Sequence, residues 1–172
     1  MINCLGVQGG AIVTGSGDGT AIVWNLKTGE LLHILKGHPE AILCFTSSIH
    51  CLEIQNNILV TAWEDGTAIV WDLKTGKLLR TLKGHTKAIN CLQIQGGILV
   101  TGSQDHTARV WDWKTGKLLR TFREHTKPIS HLQIQGDFLV TGSWDSNVQI
   151  FQIQPSIKKR ALNMFLRALR SL

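Results

Sequence analysis

The chain has 172 residues, 43% of them hydrophobic, and a formal net charge of +6. That is enough apolar material for one core-bearing domain, while no stretch of about 18 apolar residues is present to cross a bilayer. Five of the six net charges belong to Lys158, Lys159, Arg160, Arg167 and Arg170, so residues 1–157 carry only +1 and lack the basic surface that nucleic acid or anionic lipid would require. The first residues hold neither a basic cluster nor a long apolar run, which speaks against a secretory leader. An intracellular, cytoplasmic location is therefore expected (a nuclear one is compatible), with the four cysteines as free thiols.

One stretch is written three times. TGSGDGTAIVWNLKTGELLHILKGH runs from Thr14, TAWEDGTAIVWDLKTGKLLRTLKGH from Thr61 and TGSQDHTARVWDWKTGKLLRTFREH from Thr101, and a shortened fourth version starts at Thr141. A spacing near 40 residues marks a repeat architecture, in which no unit buries its own apolar face alone. Each unit reads as four short strands. In the third, INCLQIQ ends at Gly96 and Gly97, ILVTGS is closed by QDHT, ARVWDW alternates in and out, and KTGK turns the chain into LLRTFREH. Gly116 supplies the positive φ that such a turn favours. The β-branched runs, broken by glycine every eight to twelve residues or so, argue against helix in the repeats. Fourth strands are predicted over 30–35, 77–82 and 117–122. After Phe151 only QIQP remains, and Met1 stands at the first strand, so no spare strand is expected to complete the last unit.

Gly84 and His85, then Asp105, then Trp111 and Asp112 resemble the signature of the WD40 repeat, the blade of a β-propeller. The resemblance implies an all-β fold of four blades over residues 1–153 (about 1–37, 38–84, 85–124 and 125–153), the last lacking its fourth strand. It also implies a hydrogen-bonded relay of His, Ser/Thr, Asp and Trp inside each blade. By position these are Thr14, Asp18 and Trp24 in the first unit, which begins too late to own a histidine, and His38, Thr61, Asp65 and Trp71 in the second. The third has His85, Thr101, Asp105 and Trp111. The fourth has His125, Thr141 and Asp145, but Phe151 replaces tryptophan and has no N–H to donate, so this blade is expected to be the softest. The short first turn in CLQIQGGILVTGS is similar to the propellers of F-box/WD40 substrate receptors of ubiquitin ligases, although no F-box segment precedes it in this sequence.

Histidines and aspartates that recur with the repeat serve the blade rather than a reaction. No nucleophile elbow or zinc-ligand spacing is present, and GSGDG at 15–19 reads as a β-turn rather than a phosphate-cradling loop. No enzyme activity, cofactor or small-molecule substrate is therefore expected. Cys4, Cys51, Cys91 and His131 share one position in four first strands. They are read as small side chains wedged between blades, the alternative being convergence on a metal around an axis. Protein partners are expected at the loop tips of the rigid frame. The candidates there are the residues before each turn aspartate, Gly17, Glu64, Gln104 and Trp144, together with Phe45 in a seven-residue insertion at 42–48. Trp144, with Trp63 nearby in register, is the anchor the sequence suggests, because tryptophan is enriched among interface hot spots. None of these tips carries the arginine fork that a phosphorylated peptide would need.

From Ser156 the pattern changes. SIKKRALNMFLRALRSL places apolar residues at three- and four-residue steps opposite the five basic ones, and residues 155–172 are predicted as a basic amphipathic helix. Membrane or nucleic acid would be reached through residues 156–172 alone, and packing onto the same chain or a dimer is the nearer alternative. Closing four blades needs about 90° per blade, against about 51° in a seven-blade ring. Three outcomes remain open: a strained ring, an arc capped by the helix, or two arcs closing an eight-blade ring as a homodimer. The functional reading is a non-enzymatic protein-interaction scaffold. Its alternatives are a peripheral protein tethered by the basic helix, or a fragment of a larger propeller.

Overall fold

The computed structural model describes residues 1–37 and 48–153. These form four antiparallel sheets, each a meander in chain order. Sheet one holds β1 (Ile2–Gln8), β2 (Ala11–Ser16), β3 (Thr20–Asn25) and β4 (Leu31–Lys36). Sheet two holds β5 (Ile49–Gln55), β6 (Ile58–Trp63), β7 (Ala68–Asp72) and β8 (Leu78–Leu82). Sheet three holds β9 (Ile89–Gln95), β10 (Ile98–Ser103), β11 (Ala108–Asp112) and β12 (Lys117–Phe122). Sheet four has three strands, β13 (Ile129–Gln135), β14 (Phe138–Ser143) and β15 (Val148–Gln152). The fourth strands β4 and β8 each start one residue later than the sequence predicts. The expected helix at 155–172, His38, Phe45 and all of the insertion but Ser48 lie outside the described residues.

Local chemistry explains why the third strand of each full sheet ends where it does. Asp112 Oδ1 accepts the N–H groups of Lys114 and Thr115, and the Gly116 N–H closes the turn on the Asp112 carbonyl at 2.8 Å. Gly116 can do this because its φ is 77°, a left-handed value that a Cβ would oppose. Asn25 and Asp72 build the same turn in sheets one and two. Each first strand also carries an irregularity near its start, between Ile2 and Cys4, Ile49 and Cys51, and Ile129 and His131, with the counterpart on β10 at Gly102 and Ser103. Bulges of this kind add twist, and a twisted sheet stacks on its neighbour as a propeller blade does.

The core lies between sheets, not within them. Successive first strands adjoin, β1 with β5, β5 with β9 and β9 with β13. Alternate residues of each sheet then meet alternate residues of the next. Val13, Val23 and Leu35 of sheet one pack with Ile49, Leu59 and Trp71 of sheet two. Val60, Val70 and Leu82 pack with Ile89, Leu99 and Trp111. Val100, Val110 and Phe122 pack with Ile129, Ile134 and Leu139. Among the described residues no apolar cluster joins sheet four to sheet one. The stack is an open arc, and the strained four-blade ring is not what these residues form.

Candidate functional site

Polar groups inside sheets three and four form a chain of hydrogen bonds from the surface turn to the buried second strand. His85 Nδ1 lies 2.8 Å from Asp105 Oδ2, and His85 Nε2 lies 2.7 Å from Thr101 Oγ1. Trp111 Nε1–H donates to the same Thr101 oxygen at 2.9 Å. The partners assign the tautomer: Nδ1–H donates to the carboxylate, Nε2 accepts the Thr101 hydroxyl, and the hydroxyl oxygen accepts the indole. Burial pulls His85 below its ordinary value of 6.5 despite the neighbouring Asp105, which keeps the ring neutral. Burial alone would raise Asp105, but the hydrogen bonds donated by His85, Thr107 and the Thr86 N–H hold its carboxyl well below the usual carboxylate range. Sheet four repeats the arrangement with His125, Asp145 and Thr141, both contacts being 2.9 Å, and Phe151 adds no donor.

Sheet one departs from it, and the His38 expected in the relay of sheet two lies outside the described residues. In sheet one Trp24 Nε1 reaches Thr14 Oγ1 at a long 3.5 Å, and Asp18 Oδ1 accepts the Thr20 amide and hydroxyl. In sheet two Trp71 Nε1 donates to Thr61 Oγ1 at 3.0 Å, while Asp65 Oδ1 accepts the Thr67 amide and hydroxyl. A second indole, Trp63 Nε1, also donates to Thr61 Oγ1 at 3.0 Å. Trp63 is fully buried, with Gly37 hard against its ring. This corrects the expectation that Trp63 stands with Trp144 at a binding tip. The signal was present in the sequence: Ser16, Ser103 and Ser143 occupy the equivalent position, and a tryptophan there has a pocket to fill.

The four loop tips share one anchoring bond. The residue before the turn aspartate donates its backbone N–H to the carbonyl of the residue preceding or opening the first strand: Gly17 to Met1, Glu64 to Ser48, Gln104 to Ala88 and Trp144 to Pro128. The side chains behave differently. Glu64 Oε2 accepts the Ser48 hydroxyl at 2.9 Å, and Gln104 Nε2 donates to Asn90 Oδ1 at 3.2 Å. Trp144 is 61% exposed. Beneath it Asp145 accepts the Thr126 and Asn147 amides, and Ser143 Oγ accepts the Asp145 N–H. A large apolar ring is thus held out to solvent on a fully bonded turn.

Each first-strand cysteine packs against a different inter-sheet cluster, Cys4 against the first, Cys51 against the second and Cys91 against the third. Burial pushes the Cys4 and Cys91 thiols up, to about 11 and about 12, so they are inert thiols. Among the described residues no group of three His, Cys, Asp or Glu is placed to hold a metal ion.

A family model for the WD domain, G-beta repeat, matches residues 29–72, 76–112 and 116–152. The chain belongs to the WD40-repeat family. Each WD40 match opens at the last strand of one sheet and ends near the third strand of the next, so the sequence unit is out of phase with the blade and ties neighbouring blades covalently. Among solved structures the chain is similar to the computationally designed Ika4 protein, with a TM-score of 0.82, 36% identity and coverage of 90% of this chain and 92% of that one. It is also similar to the computationally designed Ika8 protein, with a TM-score of 0.81, 36% identity and coverage of 88% of this chain and 46% of that one. The WD40 arc therefore spans a little under half the length of Ika8. No curated protein matches the chain.

Proposed function

We propose that this WD40 chain is a non-enzymatic interaction module that binds partner proteins through its hairpin tips, with Trp144 as the anchor. The observation that carries this reading is the pairing of exposure with rigidity at Trp144: the ring is open to solvent, and the Asp145 turn beneath it is fully hydrogen-bonded. An indole in that setting loses little conformational entropy on binding and offers a large contact area, which is why such residues dominate binding energy. Glu64 and Gln104 hold the equivalent tip positions on blades two and three, as polar contacts whose geometry is already set by Ser48 and Asn90. The repeated histidines and aspartates are occupied in holding the blades, consistent with a scaffold role.

Peptides selected from a displayed library on the immobilised protein provide the test. Their affinity for the wild type and for Trp144→Ala is compared by fluorescence anisotropy. Truncating a hot spot removes about 2 kcal/mol or more, a loss of roughly thirtyfold. Peptides that bind both proteins equally would refute Trp144 as the anchor.

A further inference from the structure

All three junctions between consecutive blades are built the same way round. One side of a blade, bearing Val60 and Val70 in blade two, meets the opposite side of its successor, bearing Ile89 and Leu99 in blade three. Blade one has no predecessor and blade four no successor among the described residues. Their outer sides nevertheless keep the repeat's apolar residues. Ile2 is 65% exposed where its equivalent Ile49 is 0% exposed, and Leu5 and Val7 beside it are exposed too. At the other end Ile150 is 67% exposed where its equivalent Val110 is 2% exposed, with Phe138 and Val148 alongside. The two uncovered sides are the two halves of the junction that the chain already makes three times.

We propose that two copies of this chain join through these ends, blade four of each seated on blade one of the other, to close an eight-blade ring. Two details at the open ends match it. A Cβ placed on Gly102 would come within 2.7 Å of Ile129 on the next blade, and one on Gly15 within 2.8 Å of Ile49. On Gly142 it would meet nothing nearer than the His131 Cβ at 4.0 Å. The space beside Gly142 is the place for Ile2 of the second copy. In the same way Glu53 accepts the Ile94 N–H across one junction, and Gln93 accepts the Ile134 N–H across the next. The equivalent Gln133 is exposed and accepts nothing from a neighbouring blade among the described residues. Its counterpart would be the Val7 N–H of the second copy.

Geometry favours two copies over one or many. Eight blades turn about 45° each, within the range propellers use. A two-fold axis then satisfies both ends of both chains at once, whereas a junction of this one-way kind that failed to close would extend as a filament. The same arc also fits within half of the longer designed chain, which leaves room there for a second arc of equal size.

Light scattering coupled to size exclusion on the full chain tests the proposal, across a dilution series. The wild type is expected at twice the 19.0 kDa of one chain. Gly142→Leu, whose φ is unexceptional and whose neighbourhood is open within one chain, is expected to halve that mass while leaving the far-ultraviolet circular dichroism unchanged. Ile150→Lys, at a second position on the same side, is expected to do the same. A wild type that stays at 19.0 kDa, a concentration-dependent ladder of larger species, or a dimer that survives both substitutions would each overturn the ring. So would a wild-type monomer that dimerises only when residues 154–172 are deleted, since the chain's own tail would then be the occupant.

Discussion

Phe151 stacks on Phe122, ring centroids 4.1 Å apart and planes 23° apart, at the junction of blades three and four. The equivalent pair is Leu82 with Trp111 at the second junction and Leu35 with Trp71 at the first. A larger residue on one blade is matched by a smaller one on its neighbour, so volume is conserved while the indole donor is lost. Phe151→Trp alone is expected to overpack the junction and cost about 1–3 kcal/mol. Phe151→Trp combined with Phe122→Leu should recover that cost and let the new indole donate to Thr141. A double-mutant cycle on thermal unfolding measures the coupling; additive single effects would contradict the exchange.

Asp105→Ala strands the His85 Nδ1–H and the Thr86 and Thr107 amides in one step. The expected loss is roughly 1–3 kcal/mol, or about 2–4 °C in melting temperature per kcal/mol for a chain of this length. Asp145→Ala should cost less, because Trp111 has no counterpart in the fourth relay. Equal losses would place the two aspartates in equivalent roles.

Stability should depend on pH with two opposite signs. His85 and Asp105 are both held below their ordinary values, so what they contribute is complete above 6.5 and 3.8 respectively and is lost as the pH falls further. Burial pushes Glu53 up from 4.5 to about 7, so its contribution is complete below pH 4.5 and disappears as the pH rises to about 7. Glu53→Gln, which copies Gln93, should therefore raise the melting temperature above pH 7 and change it little below pH 4.5. Glu53 is half-exposed, and solvent screening keeps the expected gain to a few degrees at most. A gain that is the same at both pH extremes would dissociate the effect from the carboxylate.

Ser146 has a φ of 68°, at the turn position that Gly19 and Gly66 fill in blades one and two. A Cβ in that conformation costs about 1 kcal/mol. Ser146→Gly should stabilise the fourth blade by up to about that amount, less the greater freedom of glycine in the unfolded chain. Chemical denaturation with an unchanged slope would verify the gain.

Strands, turns and relay positions were legible in the sequence because they are local. Asp112 with Gly116 spells a turn wherever it occurs, and a histidine 16 residues before a threonine reaches it in blades three and four alike. Side-chain placement across a junction was not legible in the same way. Ile2 and Ile49 are the same residue at the same repeat position, and only the presence of a preceding blade makes one buried and the other exposed. Trp63 and Trp144 are told apart only by a one-position offset in the repeat, Trp63 aligning with Ser143 and Trp144 with Glu64. One fills a pocket beside Thr61, and the other stands exposed on its turn among the described residues.

Burial along the second strands changes from the ends inward. β2 alternates between buried and half-buried, and β14 has its first residue exposed, whereas β6 is buried in all but its first residue and β10 throughout. Amide protection should follow this gradient, slowest to exchange in the middle and fastest at the ends, since each blade is held only by its neighbours. Such a stack frays one repeat at a time. Each repeat removed uncovers another apolar side of the same kind, so over evolutionary time the array can lengthen or shorten in steps of about 40 residues while presenting the same two ends.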